Sequence, residues 1–407
     1  MLQSESLDRQ RKFLPSLEGI RGYAFLLVFF YHYFWNDEFP FQRIPWLYPL
    51  FLIKQIAWIA VPMFFVLSGY LICGILIDTR DKEGYFKVFY TRRILRVFPP
   101  YYIALVFIGV VGLLGHVSLD YRYYVHFFYI QNLLPAYPDL AWLGTLRLGH
   151  LWSMAVEEQF YLLWPLVVWL CPNKRVLLRV TVLFVGASCA IRFASHWANI
   201  SAMRVYTWTP TRLDAILLGA LLAIVRRDAI YKKLEPLGKY IALAGIVTLM
   251  AVAAVTGDSW PIKTHLRAAL LIPLVNVLSA GLILGVLEPG SFLCRACSQR
   301  WICWLGSRSY GLYLFHFLFL DWLARFGSQL AMHMPRRLAY LLGIALAFSF
   351  TLVLAAVCYT FVEQPAMNLK RFFPYGRGES IPGGPGGAQT DQDQGRFVES
   401  ATADAAQ

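Results

Sequence analysis

Arg21 and His32 are two polar residues within one apolar stretch, and their spacing suggests joint chemistry. They lie eleven residues apart, which on a helix puts them on nearly the same face and about 16 Å apart along the axis. A buried His tends to be neutral, and the neutral ring is the form that accepts a proton from a hydroxyl. His32 is therefore either a general base or a structural His bonded to a neighbouring Tyr.

A basic group follows in FKVFYTRRILRVFPPYY, which contains Arg92, Arg93 and Arg96. A spacing of three to four places Arg92 or Arg93 on one helix face with Arg96. Arginine forks bind phosphate groups well. The group predicts a site for an anionic donor, or else the ordinary basic flank of a membrane segment.

Two adjacent acids, Glu157 and Glu158, lie in LWSMAVEEQFYLLWPL. A carboxylate inside a membrane is costly without a partner. At least one of the two is therefore predicted to be a functional acid, the alternative being a structural ion pair. Arg212 and Asp214, in TPTRLDAILLGALLA, are the predicted partners on another helix.

Three further polar residues interrupt apolar runs: Ser68 in FFVLSGYLI, His316 in SYGLYLFHF and Glu363 in FVEQP. A Ser in a membrane helix usually bonds to backbone, so Ser68 is predicted to line the site wall rather than attack a substrate. His316 is assigned to the same wall. Glu363 is expected to be solvated at a membrane boundary.

The composition indicates that these residues belong to an integral membrane protein. Hydrophobic residues make up 58% of the 407 residues and charged residues 15%, against about 25% charged in soluble domains. A soluble protein this apolar would expose large adhesive patches. Aromatic residues, at 16%, flank many apolar runs as membrane-interface belts do.

Spanning helices need about 20 mostly apolar residues, and ten segments qualify: 18–36, 51–77, 99–115, 150–171, 176–196, 209–226, 240–257, 266–288, 305–325 and 338–362. Ten crossings put both termini on one side. The connections on that side hold 23 Lys and Arg residues against 11 on the other. Basic residues concentrate in cytoplasmic loops, so both termini are predicted to be cytoplasmic.

The predicted fold is an all-α polytopic bundle over residues 1–371, with a disordered Gly-, Pro- and acid-rich tail over 372–407. The net charge of +13 belongs to short loops, so no nucleic-acid partner is expected. Cys294, Cys297 and Cys303 lack an adjacent fourth ligand, so no metal is expected. Gly281 and Gly285 form a GxxxG pattern that predicts close helix packing.

Taken together, the ordered pieces LEGIRG, FFVLSGYLI, RRILRVFPPYY, LWSMAVEEQFYLLWP, RLDAILLGALLA, SYGLYLFHF and FVEQP, over about residues 14–367, resemble the acyltransferase-3 family of membrane O-acyltransferases. The resemblance implies transfer of an acyl group, commonly acetyl from acetyl-CoA, to a sugar hydroxyl. The acceptor would be a surface polysaccharide, a glycolipid or a glycosylated small molecule.

The resemblance also implies site roles. Arg21 and His32 would be the signature pair with His32 central to catalysis, and Arg92, Arg93 and Arg96 would match the basic motif that binds the donor. On physical grounds, Glu157 or Glu158 would orient His32 or hold the imidazolium that forms, and the acceptor would enter from the opposite side, near Arg212 and Asp214. Acyl-CoA would be a co-substrate with no tightly bound cofactor, in a bacterial cytoplasmic membrane.

Two points stay open in the sequence. His32 could deprotonate the acceptor directly or carry the acyl group covalently. A proton-coupled transporter would also bury Glu and His residues, and a non-catalytic sensor of the acyl donor would keep the Arg residues without His32. An Arg cluster in line with a mid-membrane His favours the transferase, since a transporter has no need of it.

Overall fold

The computed structural model describes residues 15–34, 47–134, 142–143, 146–198, 200–257 and 263–375. The first half forms α1 (Pro15–Tyr33), α2 (Tyr48–Ile56), α3 (Ala60–Thr79), α4 (Tyr85–Leu114), α5 (Tyr121–Tyr124), α6 (Trp152–Leu170) and α7 (Lys174–Ala194). The second half forms α8 (Ala202–Thr207), α9 (Leu213–Val225), α10 (Tyr231–Leu234), α11 (Gly238–Thr256), α12 (His265–Leu287), α13 (Phe292–Cys297), α14 (Arg300–Ser307), α15 (Ser309–Phe315), α16 (Leu320–Leu330), α17 (Arg336–Cys358) and α18 (Gln364–Asn368).

Short elements connect these helices. The 3-10 turns are Ala57–Ile59, Val125–Phe128, Gln131–Leu133, Gly149–Leu151, Thr209–Thr211, Glu235–Leu237, His316–Phe319 and Leu369–Phe372, and a π turn covers Tyr359–Glu363. A two-residue hairpin pairs β1 (Trp142–Leu143) antiparallel with β2 (Leu146–Arg147), with Trp142 opposite Arg147.

The prediction of an all-α membrane protein is confirmed at the level of fold class. Within the described residues, six helical stretches are long and apolar enough to cross a membrane: Tyr48–Thr79, Tyr85–Leu114, Lys174–Ala194, Tyr231–Thr256, His265–Leu287 and Arg336–Phe372. Helices also cover the remaining predicted segments, but these are shorter, more polar or interrupted. The all-helical architecture follows from the bilayer, where each backbone polar group must be satisfied within its own segment.

The predicted segment 305–325 is the main departure from the expected helices. The structure divides it into α14, α15, the turn His316–Phe319 and α16. At the second break, the His316 ring lies 2.7 Å from the Tyr313 carbonyl. Side-chain bonds of this kind compete with the backbone ladder of a helix. The apolar pattern runs on through both breaks, so the sequence reads as one continuous helix.

Helix α1 is held close to α13 and α14 by glycines. A Cβ on Gly306 would lie 1.8 Å from the Glu18 carbonyl oxygen, and one on Gly19 would lie 1.7 Å from that of Cys297. Small residues allow such backbone approach in membrane bundles. This contact fixes the position of the helix that carries both Arg21 and His32.

Tyrosine hydroxyls hold α4 against α6 and α15. Tyr85 donates to the Pro165 carbonyl at 3.0 Å and Tyr90 to the Leu162 carbonyl at 2.7 Å. Tyr310 of α15 donates to the Val97 carbonyl at 3.0 Å. These bonds place the arginines of α4 beside the glutamates of α6.

The GxxxG prediction is confirmed, since Gly281 and Gly285 pack α12 against α11. A Cβ on Gly281 would lie 2.7 Å from the Ile241 side chain, and one on Gly285 would lie 3.3 Å from the Lys239 backbone nitrogen. The tail predicted to be disordered, 372–407, lies outside the described residues from position 376 onward.

Candidate functional site

Three histidines from separate parts of the chain form one cluster. His32 Nδ1, at the end of α1, lies 3.2 Å from His316 Nε2. The His150 ring lies 5.3 Å from the His316 ring, centre to centre. His316 and His150 are buried, whereas His32 is only partly buried. His32 is therefore the most exposed member of the cluster.

Backbone carbonyls and tyrosines hold this histidine cluster. The Tyr33 hydroxyl donates to the His316 carbonyl at 2.6 Å, and the Tyr340 hydroxyl donates to the Tyr33 carbonyl. Around His150, the hydroxyls of Ser153 and Tyr313 lie 2.6 Å apart and each lies 3.1 Å from the His150 carbonyl. Helices α1, α6, α15 and α17 thus all contribute bonds that position the rings.

The second part of the site is an acidic centre on α6. Glu157 and Glu158 are partly buried. Glu157 interacts with the hydroxyls of Ser68 and Tyr161, which are hydrogen-bonded to each other. Ser68 therefore lies beside Glu157, and its partner is a side-chain hydroxyl rather than backbone.

Arg93 is the cation that accompanies the two glutamates. Its guanidinium lies 3.7 Å from the centre of the Tyr161 ring and interacts electrostatically with both Glu157 and Glu158. Within the described residues its Nε has no hydrogen-bond partner. A guanidinium stacked on an aromatic face keeps its N–H edge available for another group.

Arg96 and Arg21 are two further cations that lie between Arg93 and the start of α1. Arg21 pairs with Glu18 at 3.0 Å, and Arg96 lies within electrostatic range of Arg21, Arg93 and Glu18. Arg93 and Arg96 share a face, as the spacing predicted. We call Arg21, Arg93 and Arg96 the basic cluster.

Arg92 differs from its neighbours. It donates to the Phe373 carbonyl at 2.8 Å and lies over the Tyr375 ring at 5.0 Å, so it ties α4 to the C-terminal segment. Lys370 of the same segment lies within electrostatic range of Arg92, Arg93 and Arg96. Arg92 therefore contributes positive charge at the edge of the basic cluster.

Glu363 does not lie in solvent, so that expectation was wrong. It is 5% exposed and ends the π turn, a feature often found at functional sites. Arg96 and Arg308 lie within electrostatic range of its carboxyl group. Burial against these two arginines explains why an acid at the end of an apolar helix is tolerated.

The predicted pairing of the glutamates with Arg212 and Asp214 was wrong. Asp214 pairs instead with Arg192 at 2.6 Å, and Asn276 donates to Asp214 at 2.9 Å. Arg192 is 1% exposed and lies in the last turn of α7. An aspartate this deeply buried needs a nearby cation, and α7 supplies it.

Arg212 is fully buried, and its guanidinium lies 4.9 Å from the Tyr206 ring and 5.7 Å from the rings of Phe65 and Trp152. Among the described residues its three side-chain nitrogens have no hydrogen-bond partner. Aromatic faces attract such a cation. Arg212 thus belongs to an aromatic cage beside α6 rather than to an ion pair with Glu157 or Glu158.

The ring that hydrogen-bonds to His32 is His316 rather than a glutamate side chain, and a role for Glu157 or Glu158 in holding the imidazolium stays a prediction. The acidic centre and the histidine cluster adjoin at Tyr313, which bonds to Ser153 beside His150 and lies within electrostatic range of Glu157. Arg147 lies within the same range of His32. Glu157, Tyr313, Ser153 and the histidine cluster therefore form a polar path, to which the Arg192–Asp214 pair does not belong.

Sequence reasoning missed His150, Tyr313, Arg147 and Arg192. His150 immediately precedes the LWSMAVEE run. A His in the same predicted segment as the two glutamates was the signal that could have identified it. No signal marked Arg192, because a cation near the end of an apolar segment reads as a loop residue. Within the described residues, no three metal-ligating side chains are grouped as a metal site would need.

Comparisons with known proteins show the family to which the chain belongs. The sequence profile of the acyltransferase-3 family, described as an acyltransferase domain, matches residues 14–360. Three similar proteins are the peptidoglycan O-acetyltransferase OatA of Listeria monocytogenes (28% identity over 87% of this chain), a putative O-acetyltransferase of Staphylococcus aureus strain COL (27% over 88%) and the putative peptidoglycan O-acetyltransferase YrhL of Bacillus subtilis (29% over 88%). This chain matches 56%, 58% and 55% of their respective lengths. No solved structure gives a significant match.

Proposed function

Because the chain belongs to the acyltransferase-3 family, we propose that it is a membrane O-acetyltransferase that moves an acetyl group from acyl-CoA to a carbohydrate hydroxyl. The observation that carries the proposal is the convergence of Arg21, Arg93 and Arg96 beside Glu157. A dense positive charge at this position suits the phosphates of a CoA donor. A reactive His stands farther along the same helix as Arg21.

The proposed topology has ten crossings with both termini in the cytoplasm, in a bacterial cytoplasmic membrane. The excess of Lys and Arg on one side of the predicted segments supports it. This orientation places the basic cluster at the cytoplasmic end, where acyl-CoA is available. Acyl-CoA then acts as a co-substrate, and the acetyl thioester extends along α1 toward His32.

The chemical step follows from the exposure of His32. His32 takes the proton of the acceptor hydroxyl, and the oxygen attacks the thioester carbonyl carbon. The carbon–sulfur bond breaks, and the CoA thiolate receives the proton from His32, so that the ester and free CoA are the products. Glu157 and Glu158 keep Arg93 in place beside the donor.

We propose a cell-envelope glycan as the acceptor. OatA and YrhL are named for the O-acetylation of peptidoglycan, and the carbohydrate class is taken from them. The acceptor approaches His32 from the end of the bundle opposite the basic cluster, the side predicted to face out of the cytoplasm. Arg147 lies within electrostatic range of His32 and the Ser153–Tyr313 pair adjoins His150, and we assign the acceptor to this side of the site, with Arg212 near its entry.

The test is acetyl transfer in membrane vesicles that expose the cytoplasmic face to radiolabelled acetyl-CoA. Wild type is compared with His32→Ala at matched protein level, and His333→Ala serves as a control because His333 is exposed. We expect label in the glycan fraction for wild type and His333→Ala only. Equal labelling by His32→Ala would overturn His32 as the reactive group. An absence of labelling by wild type, with acetyl-CoA and native glycan present, would overturn the transferase proposal.

Direct transfer and a covalent acetyl-His32 intermediate differ in one measurable respect. With acetyl-CoA and no acceptor, only the covalent route releases CoA stoichiometrically and adds an acetyl mass to the His32 peptide. The direct route leaves the peptide unmodified. Peptide mass spectrometry after rapid quenching separates the two routes.

A further inference from the structure

The ring of His316 has hydrogen bonds on both nitrogens, and one of them fixes where its proton lies. His316 Nδ1 lies 2.7 Å from the Tyr313 carbonyl oxygen. A carbonyl oxygen only accepts hydrogen bonds, so Nδ1 carries the proton. His316 is fully buried, where an unpaired imidazolium is disfavoured. A neutral ring has a single N–H, so His316 Nε2 presents a lone pair.

That lone pair in turn fixes the proton on His32. His316 Nε2 lies 3.2 Å from His32 Nδ1 and can only accept, so the neutral His32 donates from Nδ1. The remaining nitrogen of His32, Nε2, is then unprotonated. We propose that His316 is a positioning residue that holds His32 in this tautomer, so that Nε2 is the atom that takes the acceptor proton. This inference rests on the proposed function.

The surroundings of His316 keep its ring in place. The Tyr33 hydroxyl donates to the His316 carbonyl at 2.6 Å, and the Phe25 ring meets the imidazole edge-on with centres 6.4 Å apart. Tyr33 and Phe25 both belong to α1, the helix that carries His32. The helix that supplies the base therefore also fixes the residue that orients it.

The same hydrogen bond assists when His32 becomes charged. Once Nε2 has taken a proton, the imidazolium still donates from Nδ1 to His316, and a hydrogen bond to a charged donor is stronger than one between neutral groups. His316 thus fills the place that an acidic residue occupies in a Ser–His–Asp triad. The Tyr313 carbonyl is the outer anchor of the chain of bonds.

The neighbouring His150 is arranged differently. Its Nε2 lies 3.2 Å from the Leu314 carbonyl, so that nitrogen carries the proton. Its Nδ1 has no hydrogen-bond partner among the described residues. His150 shares the cluster but makes no bond to His32, which leaves His316 as the ring that sets the tautomer.

Two substitutions of His316 that each introduce a side-chain amide test the inference. His316→Asn keeps an amide that donates to the Tyr313 carbonyl but is too short to reach His32. His316→Gln places its amide oxygen near the position of Nε2, where it accepts from His32. We expect His316→Asn to lower kcat on the order of 10²-fold with the KM for acetyl-CoA unchanged, and His316→Gln to recover most of the loss.

Thermal unfolding in detergent monitors the fold of both variants, and His316→Phe provides a third that keeps the shape of the ring without an acceptor. The inference predicts low kcat for both Asn and Phe. Wild-type kcat in either variant, or equally low kcat in folded Asn and Gln variants, would overturn it. Failure of the proposed function looks different, since His32→Ala would then retain transfer or wild type would show none.

Discussion

The basic cluster with its glutamates and the histidine cluster differ in their exposure and in the groups that their side chains contact. Arg93 and Glu157 are partly buried, and the Nε of Arg93 is left without a partner among the described residues. His316 and His150 are buried and bonded to backbone carbonyls. The partly buried arginines and glutamates can form further bonds to a bound ligand. The bonds of His316 and His150 to backbone carbonyls hold their rings in fixed orientations.

A third region, the Arg192–Asp214 pair, shows what a purely structural charge looks like in this protein. Its two side chains are 1% and 2% exposed and lie 2.6 Å apart. Arg192 also donates to the Thr211 carbonyl at 2.6 Å. This pair is satisfied by the protein alone, which separates it from the basic cluster.

The largest expected effect comes from breaking that satisfied pair. Arg192→Ala leaves Asp214 as a buried charge without its cation, which costs about 3–5 kcal/mol. We expect loss of folded protein in detergent, measured by thermal unfolding and by yield in the membrane. Arg175→Ala, an exposed arginine at the start of the same helix, is the control. A stable Arg192→Ala protein would contradict the assignment of this pair to structure.

The next effect falls on donor binding. Replacing both Arg93 and Arg96 with Ala removes charge-assisted bonds to phosphate, each worth about 1.5–3 kcal/mol. The KM for acetyl-CoA should rise by about 100-fold or more, and the unfolding temperature should fall moderately, because Glu157, Glu158 and Glu363 each lose a neighbouring cation. Steady-state kinetics over a range of acetyl-CoA concentrations checks this, again with Arg175→Ala as control. A large loss of stability without a change in KM would make the basic cluster structural.

Some of the site residues could be predicted from the sequence, whereas their interaction partners could not. Arg21, His32, Arg93, Arg96, Glu157 and Glu158 were found because each interrupts an apolar run, and the cost of burying charge makes such residues conspicuous. The helices that carry them were found for the same reason. Their partners were not found, because the bond between His32 and His316 joins positions 284 residues apart, and no local pattern encodes it.

Residues near segment ends were the least predictable. Glu363 was expected in solvent and Arg192 was not singled out, because a charge at the end of an apolar run is normally solvated. Their burial depends on the neighbours that packing brings: Asp214 for Arg192, and Arg96 with Arg308 for Glu363. The break at His316 escaped notice because a hydrogen bond from a side chain, not a change in hydropathy, ends the helix there.

A smaller effect is expected within the histidine cluster. Tyr33→Phe removes the hydroxyl that donates to the His316 carbonyl but keeps the backbone carbonyl that accepts from Tyr340. The unfolding free energy should fall by about 1 kcal/mol. Tyr240→Phe, at a position that is 63% exposed, should change nothing measurable in the same assay. An equal effect at both positions would show that the cluster is not held by this bond.

The smallest effect lies outside the membrane segments, at the start of α5. Asp120 accepts from the Arg122 backbone N–H at 2.9 Å and pairs with its guanidinium at 2.6 Å. Its bonds to Arg122 lower the pKa of Asp120. The ionised form is therefore stabilising above the ordinary Asp pKa of about 3.9, and this contribution is lost as the pH falls through the lower folded value.

Because the side chains of Asp120 and Arg122 are each more than a third exposed, solvent screens the pair and its contribution should be small. Unfolding temperatures of wild type and Asp120→Asn, measured from neutral pH down to the acid limit of the detergent, check it. The difference between the two proteins should be small at neutral pH and vanish at low pH. A difference in unfolding temperature that grows as the pH falls would contradict a lowered pKa for Asp120.

The central claim is that the basic cluster binds the donor whereas the histidine cluster handles the proton. Equilibrium binding of radiolabelled CoA to purified protein tests this directly, because binding requires no acceptor and no turnover. His32→Ala should bind CoA with the Kd of wild type, and the variant lacking Arg93 and Arg96 should bind at least about 10-fold more weakly. Weak binding by His32→Ala together with wild-type binding by the double variant would contradict the account.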